Sequence, residues 1–351
     1  PIMIGYRQSL FGYNSLKWDK RIEPVRYQEA KKSYVETLEL VSANAINKFF
    51  ALATAQSNYD IASFNYANAD TLYRYAQGRY NIGTITENEM LQLELNRLTE
   101  ETNRMNARIE MDNCMQELRS YLGIQEEREI RVRVSSRIPD FSINLNEALA
   151  LAYENSPDIQ TMKRRKLESE SAVARARANA GLKADIYLRF GLTQTADKLP
   201  EAYRNLLDQQ YVSLSISLPI LDWGRGKGQV RVARSNRDLV YTQVEQNRTD
   251  FELNVRKLVK QFNLQTQRVR IAARTDETAQ RRNEVARKLY ILGKSTILDL
   301  NASISEKDSA RRNYVSALYN YWSLYYTLRS MTLYDFESNK LLTEDYNLLI
   351  E

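Results

Sequence analysis

Histidine is absent from the 351-residue chain, and cysteine occurs once, at Cys114. Without imidazoles and with a single thiol, the residue sets of zinc sites, Ser-His-Asp triads and Cys-His pairs are missing. No intrachain disulfide can form. No apolar run reaches the roughly 18–20 residues that a membrane helix needs. No signal peptide is visible, and the chain starts at Pro1 without a methionine, as a processed or truncated product does. Blocks of one charge are also missing. The 50 basic and 44 acidic side chains leave a net +6 scattered along the chain, which offers nucleic acid no concentrated surface. Charged residues at 27% and hydrophobic ones at 43% describe a folded protein with much wetted surface.

Glycine and proline are scarce, and their clustering outlines the architecture. Between Tyr13 and Gln77 only Pro24 breaks the pattern, and neither residue occurs in 84–122, 229–292 or 294–351. These windows are rich in Ala, Leu, Glu, Gln, Arg and Lys, which favour helix. The first would form a rod of roughly 100 Å at 1.5 Å per residue, a length typical of coiled coils. Leu91, Leu95, Leu98, Met105 and Ile109 keep a three-four rhythm, with Thr102 in the gap. Ile297, Leu300 and Ile304, then Tyr314, Leu318, Tyr321, Tyr325 and Leu328, do the same. Each stripe is expected to be buried against a neighbouring helix.

The chain also repeats itself without gaps at an offset of 210 residues. Tyr80 meets Tyr290, Gly83 meets Gly293, Thr86 meets Thr296, Glu89 meets Asp299, and Leu118-Arg119-Ser120 meets Leu328-Arg329-Ser330. The unit is strand, long helix, Tyr-x-x-Gly break and second helix, used twice. The expected division is 1–143 for the first repeat and 144–351 for the second.

Three short segments alternate with period two. In Tyr211–Leu221, Val212, Leu214, Ile216 and Leu218 oppose Ser213, Ser215 and Ser217. In Lys183–Gln194, Ala184, Ile186, Leu188, Phe190 and Leu192 oppose Asp185, Tyr187 and Arg189; Ile2, Ile4 and Tyr6 alternate with Met3, Gly5 and Arg7. A transmembrane strand needs about 9–11 residues, apolar toward lipid and polar toward a lumen. Phe11, Tyr13, Trp18 and Trp223 flank these segments as membrane-interface aromatics do, and 195–210 is the expected loop on the far side. Three strands cannot close a barrel, so membrane strands of this kind require oligomerisation.

Three stretches together resemble the outer-membrane efflux protein family, of which TolC is the best-known member. One is Ala148-Leu149-Ala150-Leu151-Ala152-Tyr153-Glu154-Asn155-Ser156-Pro157, similar to the family's short helix and Asn-x-Pro helix entry. The second is Ser213–Gly224, with its Leu-Pro-Ile before an aromatic-glycine turn. The third is the pair Tyr80-Asn81-Ile82-Gly83 and Tyr290-Ile291-Leu292-Gly293, each with an acid six residues after the glycine. The resemblance spans nearly the whole chain, which begins at what would be the family's second strand; the family's N-terminal long helix and first strand are not in it.

The resemblance implies a mainly α fold: a long coiled-coil α-barrel joined to a small transmembrane β-barrel, closed only in a homotrimer. It implies a passive exit duct of a tripartite efflux or type I secretion system, in the outer membrane and reaching into the periplasm, without cofactor or catalysis. The partners it implies are a periplasmic adaptor (membrane fusion) protein, an inner-membrane transporter and outer-membrane lipid. Tyr80, Gly83, Tyr290, Gly293 and Lys294 fall at the periplasmic tips where adaptors dock. Asp299 matches the acidic ring of the closed entrance. Glu89 stands at the matching height, Ala302 replaces a second acid, and Glu306 lies one further turn along. A hydrogen bond from the Tyr290 hydroxyl to Glu89 across neighbouring hairpins, with Lys294 adding an ion pair, is expected to help hold the entrance shut. Segments 124–144, with a short strand at Glu129–Val134, and 332–351 are expected to belt the tunnel. A non-membrane coiled-coil scaffold is the alternative reading, and it leaves the alternating strands unexplained.

Overall fold

A computed structural model of the chain describes residues 2–126, 129–135, 138–194 and 206–342. Most of 195–210 and the end of 332–351 therefore lie outside the described residues. In chain order the elements are β1 (Ile2–Ser9), α1 (Ser15–Asn81), α2 (Glu87–Tyr121), α3 (Leu145–Asn155), α4 (Pro157–Ala180), β2 (Lys183–Thr193), β3 (Leu207–Ser217), α5 (Arg225–Ile291) and α6 (Ile297–Thr332). A two-residue pair, β4 (Tyr334–Asp335) and β5 (Lys340–Leu341), follows. Both bounds of α5 lie 210 residues beyond those of α1, so the spacing read from the sequence carries through to the helices. The chain forms two compact units, Pro1–Ser33 with Asn155–Leu253, and Tyr34–Glu154 with Asn254–Glu351.

In the first unit β1, β2 and β3 form an antiparallel sheet in that order. β3 begins at Leu207, four residues before the expected start, because Leu207–Gln210 continue the ladder opposite Phe190–Thr193. Pro24 does not end α1, which runs through it with Ile22 buried beside it. α4 starts on Pro157 at its first position, with Ser156 as N-cap accepting from the Asp158 N–H at 3.2 Å. It is tied to α1 by Arg164, whose guanidinium bonds Glu29 at 2.6 Å and Glu168 at 3.0 Å. The Arg164 bond holds the Glu29 carboxyl below its usual range against the opposing effect of burial.

The second unit has two apolar cores. One joins Leu52 and Ala55 of α1 to Met111 and Leu118 of α2, with Ile130 and Val132 packed on it. The short strand expected at Glu129–Val134 is not formed. The Gln56 side chain takes a strand's place, donating to the Ile130 carbonyl at 3.0 Å and accepting from the Val132 N–H at 3.2 Å. The other core stacks Phe262 against Tyr321 and Tyr325, with ring centroids 5.1 and 5.9 Å apart.

The two predicted apolar stripes fare differently. On α6, Leu300, Leu318, Tyr321, Tyr325 and Leu328 are buried. On α2, Leu91, Leu95, Leu98, Met105 and Ile109 are all exposed, Leu95 at 66%, and the buried positions are Leu93, Met111 and Leu118. The rhythm locates an apolar stripe, but among the described residues nothing covers it.

Candidate functional site

Each long helix ends in the same hairpin. Gly83 and Gly293 take left-handed φ of 72° and 68°, a conformation that a Cβ makes costly. At the second tip the Lys294 N–H bonds the Leu289 carbonyl at 2.9 Å and the Gly293 N–H bonds Tyr290 at 3.0 Å; the first repeats this with Thr84 on Arg79 and Gly83 on Tyr80. This is a Schellman motif, which satisfies the helix's last carbonyls and turns the chain. The next helix starts on a capping box, Thr86 with Glu89 and Thr296 with Asp299.

The capping boxes decide what the tip acids do within one chain. Asp299 is exposed, and its Oδ2 accepts from the Thr296 hydroxyl at 2.7 Å, the Thr296 N–H at 3.2 Å and the Ser295 hydroxyl at 3.2 Å. These bonds, the Thr296 hydroxyl foremost, hold its carboxyl below the usual range. Glu89 accepts from the Thr86 N–H at 2.9 Å. Burial pushes the Tyr290 phenol up, and the nearby Glu89 charge adds to that shift. Glu306 is ion-paired with Arg282, so its charge is locally balanced. Tyr80 and Lys294 are exposed at the turns, as are Ile82, Leu292 and Leu298, at 67–74%.

The sheet is amphipathic across its register as well as along each strand. Tyr6 faces Leu188 and Leu188 faces Val212; Ile186 faces Leu214, and Ala184 faces Ile216. On the other side Arg7 faces Tyr187, Tyr187 faces Ser213, and Asp185 faces Ser215. Much of the apolar face is bare: Ile4, Tyr6, Phe190, Val212, Leu214 and Ile216 are about half exposed or more, Ile186 and Leu188 are half-buried, and only Ala184 at its base is buried. β1 and β3 each have one edge with no partner strand among the described residues. No described helix is long and apolar enough to cross a membrane.

The family profile described as outer membrane efflux protein matches residues 148–332, more than half of the chain. The chain belongs to the outer membrane efflux protein family. Comparison with curated protein sequences finds no match. Solved structures share the fold at low identity. The Campylobacter jejuni CmeC outer membrane channel aligns at TM-score 0.77 and 16% identity, over 99% of this chain and 72% of that one. Vibrio cholerae VceC aligns at 0.73 and 15%, over 94% and 78%. The Neisseria gonorrhoeae MtrE outer membrane channel in its open state aligns at 0.72 and 14%, over 98% and 80%. As a member of this family the protein is a non-catalytic efflux channel of the bacterial outer membrane, extending into the periplasm.

Within this family fold the four aromatics expected at the membrane boundary divide into two pairs. Phe11 and Trp223 are exposed, Trp223 at 93%. Tyr13 is bonded to Ser171 at 2.6 Å with the Arg175 guanidinium 4.6 Å above its ring, and Trp18 lies under Arg21 at 4.7 Å. Tyr13 is thus held by α4, and Trp18 by an arginine one turn along its own helix.

Each hairpin is zipped by contacts that the motifs above do not include. Between α1 and α2, Arg97, Arg104 and Arg108 lie over Tyr73, Tyr66 and Tyr59 at 5.7, 4.2 and 5.5 Å. Between α5 and α6 the ties are Asp276 with Arg311 at 3.1 Å, Asn283 with Ser303 at 3.0 Å, and Arg282 with Glu306. The signal was present: Tyr59, Tyr66, Tyr73 and Tyr80 recur every seventh residue, which puts one aromatic on the same helix face every two turns.

Proposed function

We propose that the chain is one protomer of a homotrimeric duct of a tripartite efflux or type I secretion system, with its strands in a shared closed barrel and its helices in a periplasmic tunnel. The observation that carries this is the bare apolar face of the sheet beside two open strand edges. Lipid is the solvent that favours such a face, and the edges are tolerable in lipid only when further strands pair with them. The uncovered α2 stripe asks for a helix from a second copy in the same way. The repeat units 1–143 and 144–351 are then the building blocks of the tunnel wall.

In this reading three Asp299 side chains line the entrance. The cap uses Oδ2, which leaves Oδ1 to face the axis; crowded carboxylates attract cations and repel anions. Glu89 and Glu306 lie on the same two hairpins, and Tyr290 and Lys294 of one hairpin latch against the next. Exposed Ile82, Leu292 and Leu298, with Tyr80 and the two glycine turns, form the seat for a periplasmic adaptor, which couples the duct to an inner-membrane transporter. Single-channel recording on the cross-linked protein tests this. The reading expects a trimer of low conductance that Tyr290→Phe opens and Asp299→Asn makes less cation-selective. Monomers without conductance would refute it.

A further inference from the structure

The base of the sheet carries a second surface. Ala184 accepts from the Leu10 N–H at 2.7 Å, and Lys183 pairs with Ser217, so the end of β1, the start of β2 and the end of β3 lie side by side. Three helix ends gather there. Tyr13, just before α1, is bonded to Ser171 of α4, and a Cβ added at Gly226 of α5 would lie 3.0 Å from Ala180 of α4. Around this level the apolar face continues as an uncovered collar: Phe11 at 60% exposure, Leu16 at 78%, Ile220 at 87%, Leu221 at 76% and Trp223 at 93%.

The same level is rich in cations without carboxylate partners. Lys17 and Lys20 of α1, Arg177 of α4, Lys183 of β2, and Arg231 and Arg234 of α5 make no ion pair among the described residues, and all but half-buried Lys183 are exposed. The local acids are largely engaged. Asp222 accepts from the Gly224 and Gly226 N–H groups at 3.0 and 2.8 Å, Glu23 is paired with Arg26, and Glu170 with Arg21. Asp19 and Asp185 remain against the six cations. α1 has no acid in its first turn, so its N-terminal dipole adds to the positive potential, whereas the Asp222 carboxylate caps that of α5.

We infer that this collar and its cations form a binding surface for anionic phospholipid, the aromatic and aliphatic side chains entering the acyl boundary while the Lys and Arg groups take the headgroup phosphates. An apolar ring with a basic rim is the surface that an anionic membrane face selects, since each cation close to it strengthens binding about fivefold. The inference rests on the membrane reading of the sheet and adds a lipid class to it.

Flotation of the full chain on vesicles separates the two. Phosphatidylcholine vesicles test the membrane reading, and vesicles containing phosphatidylglycerol test the lipid class. The expected result is binding to both, roughly tenfold or more stronger with phosphatidylglycerol and weakened by salt. The variant Lys17→Gln/Lys20→Gln/Arg231→Gln/Arg234→Gln should keep its helical circular dichroism and its phosphatidylcholine binding and lose the preference. A wild-type chain indifferent to phosphatidylglycerol, or a variant that keeps the preference, overturns the inference while leaving the membrane reading intact. A chain that floats with neither vesicle overturns both.

Discussion

Replacing Gly293 with alanine isolates the conformational cost of the tip. No atom lies within 4 Å of the position a Cβ would take there, so crowding contributes nothing. What remains is the left-handed φ of 68°, where an L-residue costs roughly 1–2 kcal/mol. A shift of that size multiplies local opening about 5- to 30-fold. Gly78 supplies a control of opposite sign. It lies inside α1 with no atom within 4 Å and no left-handed φ, so Gly78→Ala should stabilise by about 0.5–1 kcal/mol. Because tips open locally, global unfolding under-reports the effect. Hydrogen exchange of the Gly293 and Lys294 amides, the two donors of the motif, reads it directly. Gly293→Ala should accelerate exchange by that factor, Gly83→Ala should do the same at the other tip, and Gly78→Ala should slow exchange around it. Equal protection in wild type and Gly293→Ala, or destabilisation by Gly78→Ala, would refute the reasoning.

Three further outcomes follow from the structure. Arg104→Gln should destabilise the first hairpin by about 0.5–1 kcal/mol, and a double-mutant cycle with Tyr66→Leu should show that the two effects are coupled. Arg329→Ala should cost about 3–5 kcal/mol in thermal unfolding, because the nearly buried Arg329 bonds Glu39 at 3.0 Å and lies 3.6 Å from Asp335, leaving two carboxylates without their cation. The Asp299 cap sets a pH window. Its folded pKa lies below the ordinary 3.8, so the cap is fully present above that pH and is lost as pH falls through the lower folded value. The Thr296 amide shift should titrate below pH 3.8 and not at all in Asp299→Asn; a midpoint above 3.8 would show that the cap does not govern this carboxylate.

Much of the fold was legible because it rests on local rules. The two glycines at the tips, the long windows free of breakers and the 210-residue offset each fix backbone conformation without reference to distant contacts. The strands were legible through their alternation, although Leu207–Gln210 gave no such pattern and join β3 only through the ladder to β2. Periodicity finds a stripe on a helix and is silent about what lies opposite, so the α2 leucines looked buried and are bare. Glu129–Val134 had the composition of a strand, but its backbone bonds the side chains of Gln56 and Met115, which no pattern within the segment reveals. At the site, Asp299 was singled out by the family resemblance of the Tyr-x-x-Gly break with its acid six residues after Gly293. Its bonds to Ser295 and Thr296 come from the capping box, a motif also written in Thr296 and Asp299. The tyrosine heptad went unread because each tyrosine alone resembles any half-buried aromatic.

The central claim is that one face of the β1–β2–β3 sheet meets lipid. Nitroxide labels placed singly at 212, 213, 214, 215 and 216 in the reconstituted protein test it most directly. The account predicts that labels at Val212, Leu214 and Ile216 are reached by dissolved oxygen and shielded from a water-soluble relaxation agent, with the reverse at Ser213 and Ser215. Water exposure at all five positions would contradict it.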